Sequence, residues 1–372
     1  MKIGIILGTR PEIIKMSPII KELSIRREDF FILHTGQHYS YEMDAKIFDD
    51  LDLPMPRYNL NVGGQEYRKQ VGMMIREISE ILKKEKPTVV IVQGDTNSVL
   101  AGAQAANKLG IKIAHHEAGL RSHNLKMLEE NNRIITDHIS DYLFAPTEDA
   151  LKNLLEEGIE KSKIFYSGNT IVDAVFENLE ISRKKTNILE KLGLQKGNYV
   201  LVTAHRAENV DIESRLRGIL EGLAKVAMQI DIPVIFPIHP RTLNNLKAFQ
   251  LPIPEKVRFI EPVGFLEFLQ LEANAKLAIT DSGGVQEEAC ILKIPCVTVR
   301  DETERPETIT CGANQLAGVL PEKILSCVLE MLKCEKTWPN VFGDGKAAKR
   351  IVDFLISEQK KSSILKSLEK KA

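Results

Sequence analysis

The feature that most constrains this chain is a regular alternation of short apolar runs with longer amphipathic stretches. One series of runs comprises Ile3–Leu7, Phe31–His34, Val89–Gln93, Ile111–His115, Tyr142–Ala145 and Ile164–Tyr166. A second comprises Val200–Thr203, Val234–Phe236, Arg258–Ile260, Ala278–Thr280 and Cys296–Val299. Runs this short and this rich in β-branched residues read as strands, and their almost unbroken apolar character means that both faces are covered. The stretches Tyr67–Lys84, Leu216–Gln229 and Pro321–Leu332 read as helices. Strands alternating with helices give parallel sheets with helices on both faces, an α/β fold. Two series in 372 residues imply two such domains. The junction is placed near Gly168-Asn169, giving domains 1–168 and 169–345, with Glu177–Lys196 as a helix plus linker. A Lys-rich helix over 346–372 either packs back on the first domain or ends in solvent.

Bulk properties exclude several classes of function. The net charge is −1, so no global field draws in nucleic acid or an anionic membrane, and an anionic ligand needs a local site. No apolar stretch reaches the roughly 18 residues of a membrane span, and the N-terminal run is too short for a signal sequence. The five cysteines, Cys290, Cys296, Cys311, Cys327 and Cys334, are odd in number and form no C-x-x-C pair. They read as reduced structural thiols, which points to the cytoplasm rather than to a disulfide framework or a zinc site.

Ligands of an open parallel sheet bind beyond the carboxyl ends of the strands, so the residues that directly follow each run are the informative ones. After the first come Gly8-Thr9-Arg10-Pro11-Glu12 and a helix beginning near Pro11, with Lys15 about one turn on. Backbone N–H groups at such a helix start accept an anion, and an arginine there adds a bidentate contact to phosphate. After Val89–Gln93 come Gly94-Asp95-Thr96, and after Ile111–Ala114 come His115-His116-Glu117-Ala118-Gly119-Leu120-Arg121. On neighbouring strands Asp95 and Glu117 would enter one crevice, where paired carboxylates separate into an acid and a base. Taken singly, Asp95 is equally explained as the cap of a helix over Asn97–Leu109, and Glu117 as a partner of Arg121. His115 and His116 are adjacent on a strand and point to opposite faces, so no metal is expected there.

In the second half, Val200–Thr203 leads to Ala204-His205-Arg206, and Val234–Pro237 leads to Ile238-His239-Pro240-Arg241. The most specific element is Ala278-Ile279-Thr280-Asp281-Ser282-Gly283-Gly284-Val285-Gln286-Glu287-Glu288. Strand, Ser-Gly-Gly and helix in that order let the backbone approach a diphosphate at a helix N-terminus, and Glu288 one turn later suits two ribose hydroxyls. The pattern is neither the dinucleotide fingerprint nor a Walker A loop. Arg300 to Glu307 add charge beyond the next strand.

Together these motifs resemble the non-hydrolysing UDP-N-acetylglucosamine 2-epimerases. The matching pieces are Gly8-Thr9-Arg10-Pro11-Glu12 with Lys15, Gly36-Gln37-His38, Gly94-Asp95-Thr96, Glu117 to Arg121, and Glu129-Glu130 with Asn132-Arg133. Further on come Ser167-Gly168-Asn169-Thr170, His205-Arg206, Asp281 to Gly284 with Gln286-Glu287-Glu288, and Thr303-Glu304-Arg305-Pro306-Glu307. The resemblance implies two Rossmann-like domains in a GT-B arrangement with the ligand in a cleft between them, and a homodimer. It implies that Ser282, Gly283 and Gly284 hold the diphosphate, that Glu288 holds the ribose, and that Phe268 packs near the uracil. It implies that Arg10, Lys15, His205 and Arg305 neutralise phosphate, and that Asp95, Glu117 and Glu129 are the acid–base carboxylates, with His205 among the catalytic groups. Two departures stand out. Leu128 replaces the proline common before the Glu-Glu pair, and Tyr39 to Ala45 lack the glutamines that accompany activation by substrate at a second site.

Inverting C2 of an N-acetylhexosamine has two routes. Transient oxidation needs a nicotinamide cofactor, whose fingerprint is absent from the sequence. Elimination of UDP to a glycal, followed by re-addition, needs no cofactor. It does need a cationic grip on the departed UDP and acid–base groups for both faces. The expected reaction is therefore reversible conversion of UDP-GlcNAc to UDP-ManNAc. The rivals are a hydrolysing epimerase, a GT-B glycosyltransferase and a non-catalytic binder of nucleotide sugars.

Overall fold

The computed structural model describes residues 2–37, 41–64 and 67–369. They divide into two compact units, Met1–Ala174 with Phe342–Ala372, and Val175–Val341. The division falls inside a helix and assigns the C-terminal segment to the first unit.

The first unit begins β1 (Lys2–Leu7), α1 (Arg10–Ile25), β2 (Asp29–His34), α2 (Tyr41–Asp50), β3 (Tyr58–Asn59) and α3 (Tyr67–Glu85). It continues β4 (Val89–Gln93), α4 (Asn97–Lys108), β5 (Lys112–His116), α5 (Leu128–Ile139), β6 (Tyr142–Ala145), α6 (Glu148–Glu156), β7 (Ile164–Tyr166) and the start of α7 (Thr170–Lys185), whose residues from Val175 on belong to the second unit. The strands form one parallel sheet in the order β3-β2-β1-β4-β5-β6-β7. β1 and β4 are its central pair, with Ile3 opposite Val89 and Ile5 opposite Ile91. Every residue of β4 is buried, as a strand covered on both faces requires. Ile6, Val90 and Val92 pack with Met74, Ile78 and Leu82 of α3 and with Val99 and Ala103 of α4.

The second unit contains α8 (Ile188–Leu192), β8 (Val200–Thr203), α9 (Ala207–Val210), α10 (Glu213–Gln229), β9 (Val234–Pro237), α11 (Pro240–Ala248) and β10 (Val257–Ile260). After these come α12 (Phe265–Asn274), β11 (Leu277–Thr280), α13 (Gly283–Ile291), β12 (Cys296–Thr298), α14 (Pro306–Thr310), β13 (Asn314–Leu316) and α15 (Pro321–Met331). Its parallel sheet runs β10-β9-β8-β11-β12-β13. One face packs on α10 and α15 through Ile219, Leu223, Ile324 and Val328. Leu271 of α12, Ala275 just after it and Ala289 of α13 pack on the other.

The last helix, α16 (Ala347–Glu369), lies on the first unit. Asp173 accepts the N–H groups of Ala347 and Ala348 at 3.2 and 3.1 Å, satisfying donors that a helix start leaves open. The Phe354 ring meets Tyr142, Phe144 and Phe165 at 5.4, 5.6 and 5.0 Å.

All the strands expected from the apolar runs form, with ends shifted by at most two residues. β3 and β13 were not foreseen. They are edge strands of two and three residues, too short for an alternation to register. Among the described residues, no helix is long and apolar enough to cross a membrane. The five cysteines are free thiols.

Candidate active site

Each sheet reverses its winding once, between β1 and β4 in the first unit and between β8 and β11 in the second. Crevices at such points are where doubly wound sheets take ligands.

In the first unit the loops after β1 and β4 are tied together by Glu12. Its carboxylate accepts the Thr9 N–H at 2.9 Å and also bonds the Gly8 N–H and the Thr96 hydroxyl. Burial pushes this carboxyl up to about 7, against the pull of those hydrogen bonds. Gly8 is pressed against the start of α4. A Cβ there would lie 1.8 Å from Ser98 Oγ and 2.4 Å from Thr35 Oγ1. Arg10 is the first residue of α1, at the position expected for an anion contact.

Asp95 follows β4, and the cap of α4 is Thr96, whose hydroxyl accepts from Val99 N–H at 3.4 Å. The Asp95 carboxylate instead pairs with Arg133 of α5, while its carbonyl accepts from Asn132 at 2.9 Å. Glu117 follows β5 at a φ of 66°, a left-handed conformation uncommon for a residue with a side chain. Three side chains hold its carboxylate there: Lys15 at 2.5 Å, Asn169 at 3.3 Å and the Gln93 amide. Strained backbone fixed from several sides is a recurrent property of functional positions. The partner of Glu117 is thus Lys15, and Arg121 is committed elsewhere, to Glu157 at 2.6 Å and Asp137 at 2.8 Å. β4 and β5 are neighbours, with Gln93 opposite His116, so Asp95 and Glu117 lie on adjacent strand ends.

The vicinal histidines separate. His115 contacts Asp137 at 2.6 Å through Nδ1 and the Gly94 carbonyl at 2.8 Å through Nε2. His116 contacts the Thr170 hydroxyl at 3.2 Å, and burial pushes its imidazole down to about 4, with Lys15 and His115 adding to that and Glu117 opposing it. Asp137 also accepts the Gly119 N–H at 3.1 Å. Burial raises its carboxyl, but His115 and Arg121 hold it below the ordinary carboxylate range. Sequence reasoning missed Asp137 because it lies inside α5, where acidic residues are ordinary.

Glu129 is exposed in the first turn of α5, whereas Glu130 is buried. Glu130 accepts N–H groups of Ser122 and His123 and pairs with Arg133 at 2.8 Å. Arg133 therefore links the Glu-Glu segment to Asp95. Leu128 is the first residue of α5, where a proline would also fit, so its substitution leaves the helix start unchanged. His38 to Ser40, part of the Gln-His motif, lie outside the described residues, as do the side chains of Tyr41 to Met43.

In the second unit Asp281 does for β8 and β11 what Glu12 does for β1 and β4. It is fully buried and accepts the N–H groups of His205 and Arg206, each at 2.9 Å, and the Asn209 amide at 3.2 Å. These bonds set His205 beside the Ser-Gly-Gly turn, with its ring 5.6 Å from that of His239. Ser282 is the residue before α13, and Gly283 and Gly284 are its first two residues. Among the described residues, a Cβ at either glycine would meet nothing closer than 3.6 or 3.8 Å, and both have ordinary negative φ. Neither protein packing nor backbone conformation requires glycine there, whereas the close approach of a ligand does. Phe268 is half-buried on α12, packed on the apolar cluster under that face. Arg305 pairs with Glu287 at 2.6 Å, and Arg300 is neutralised by Glu208 and Glu304 at 2.6 and 2.8 Å.

A sequence profile described as UDP-N-acetylglucosamine 2-epimerase matches residues 21–356. The UDP-N-acetylglucosamine 2-epimerase of Methanocaldococcus jannaschii is 55% identical over 95% of this chain and 99% of its own. That of Methanococcus maripaludis is 53% identical over 96% and 99%. The crystal structure of the M. jannaschii enzyme in complex with UDP-GlcNAc and UDP superposes with a TM-score of 0.86, over 96% of this chain and 100% of the other.

Proposed function

The chain belongs to the UDP-N-acetylglucosamine 2-epimerase family, and we propose that it interconverts UDP-GlcNAc and UDP-ManNAc without net hydrolysis. The observation that carries the proposal is the Ser282-Gly283-Gly284 turn. It has glycines that the protein itself does not need, at a helix N-terminus beside His205, in a chain 55% identical to an epimerase crystallised with UDP-GlcNAc and UDP.

UDP is bound through Ser282, Gly283 and Gly284 at the diphosphate, Glu288 at the ribose and Phe268 at the uracil. Arg10, Lys15, His205 and Arg305 supply positive charge. For Lys15 and Arg305 this means exchanging Glu117 and Glu287 for phosphate. A base removes the C2 proton while the C1–O bond breaks and UDP leaves with the electron pair, giving the 2-acetamidoglycal. A proton then returns to C2 from the opposite face and a UDP oxygen re-forms the bond to C1. The sequence is redox-neutral and consumes no co-reactant. Asp95, Glu117 and Glu129 are the groups we assign to proton transfer. Asp95 lies against Arg133 and, before UDP binds, Glu117 lies against Lys15, contacts that orient the two carboxylates.

The test is incubation of UDP-GlcNAc with the wild type and with Asp95→Asn, following all products by chromatography. The wild type yields a mixture of two UDP-sugars with no build-up of free UDP. Asp95→Asn retains the fold and loses on the order of 10²–10⁴ in turnover. Accumulation of UDP and free sugar in equal amounts supports the hydrolysing reading, and near-normal turnover in Asp95→Asn removes that residue from the chemistry.

A further inference from the structure

Glu272 is unlike the other buried carboxylates of the second unit. It lies on α12 fully shielded from solvent, and among the described residues neither of its carboxyl oxygens receives a hydrogen bond. Asp281, equally buried, accepts three N–H groups. The titratable groups that face Glu272 are Glu288 from α13 and the Cys296 thiol from β12. The hydroxyl of Tyr199, the residue before β8, donates to the Leu271 carbonyl at 2.5 Å. A carboxyl shielded from solvent and facing a second one is disfavoured from ionising alongside it, and a proton retained on one becomes a donor to the other. Phe268 and Glu272 are four residues apart on α12 and so share one face, putting Glu272 one turn along from the residue assigned to the uracil.

We propose that Glu272 is a positioning residue that shares a proton with Glu288, its O–H donated to that carboxylate so as to fix it for the ribose hydroxyls of UDP. This rests on the assignment of Glu288 to the ribose. Burial, and then the charge of Glu288, hold the Glu272 carboxyl well above the ordinary range. Burial likewise raises the Cys296 thiol, with Glu272 adding to the shift, so Cys296 contributes no competing charge at neutral pH. With the proton in place, the pair carries one negative charge. Once the proton is lost, two like charges face each other and the orientation of Glu288 is lost with it.

Two measurements on the intact protein test this. In the infrared spectrum at neutral pH, the wild type shows a carboxylic-acid C=O band that Glu272→Gln removes. In calorimetric titrations with UDP, wild-type affinity falls as pH is raised, whereas Glu272→Gln, which keeps a donor at every pH, binds within about threefold of the wild type at neutral pH and shows no alkaline loss. Glu272→Ala, lacking the donor, weakens UDP binding by about tenfold and raises KM while leaving kcat little changed. A C=O band unchanged in Glu272→Gln overturns the shared proton. An alkaline loss that persists in Glu272→Gln overturns the positioning role. Unimpaired UDP binding by Glu288→Ala overturns the ribose assignment instead, independently of the band.

Discussion

His34 and His116 are buried imidazoles, and burial pushes each down to about 4 from an ordinary value of 6.5. Both stay neutral in the folded protein while the unfolded chain takes up protons below about pH 6.5. A base with a depressed folded pKa contributes stability in full above its unfolded value, and that contribution is lost as the pH falls toward the folded one. Glu12 acts in the opposite sense. Its carboxyl is raised to about 7, so its contribution is complete at low pH and lost as the pH rises from about 4.5 toward 7. On going from pH 7 to pH 5, the wild type should therefore lose about 2 kcal/mol more stability than His116→Gln, measured by urea unfolding at both values. Parallel losses would show that His116 is not buried in its neutral form. At this scale the sequence exposed which residues follow the strands, including Asp95, Glu117, His205 and Ser282. It did not expose their partners. Spacing along the chain offered Arg121 to Glu117, but the left-handed turn at Glu117 accompanies a bond to Lys15, a residue 102 positions away. Glu272 was equally hidden, since a glutamate in an amphipathic helix carries no sign of being on the buried face.

The element that fixes the geometry of the first unit is the turn from β1 into α1. Gly8 touches Ser98 and Thr35, whose hydroxyls are 2.7 Å apart, and Ser98 is also bound by Gln37 at 2.7 Å, so these atoms have little freedom to withdraw. Gly8→Ala should cost roughly 2–3 kcal/mol through overpacking and should lower activity by displacing Arg10 and Thr96 together, read from urea unfolding and turnover. Wild-type stability in this variant would mean that the turn is looser than the contacts imply. Strands and most helices were legible because burial on two faces writes itself as apolar runs. The linking roles of Glu12 and Asp281 were not, although both sit within quoted motifs. A carboxylate that gathers N–H groups from two loops has the same sequence signature as a helix-start acid.

At the scale of the whole molecule, both units repeat one winding scheme, a parallel sheet whose order reverses between its first and fourth strands. That scheme brings the chemistry-bearing residues of each unit to the reversal point; the alternation of runs was sufficient to anticipate parallel sheets, but not the order of their strands. The assignment of the C-terminal helix to the first unit depends on aromatic contacts of Phe354 and on Asp173, neither of which a periodicity can announce. The central claim, that C2 is inverted through loss and return of its proton, is tested most directly by proton NMR of UDP-GlcNAc with the purified protein in deuterated water without added cofactor. The account predicts that UDP-ManNAc appears carrying deuterium at C2 and that the C2 proton signal of the remaining UDP-GlcNAc fades as the mixture equilibrates. Formation of UDP-ManNAc that retains its original C2 hydrogen would contradict it.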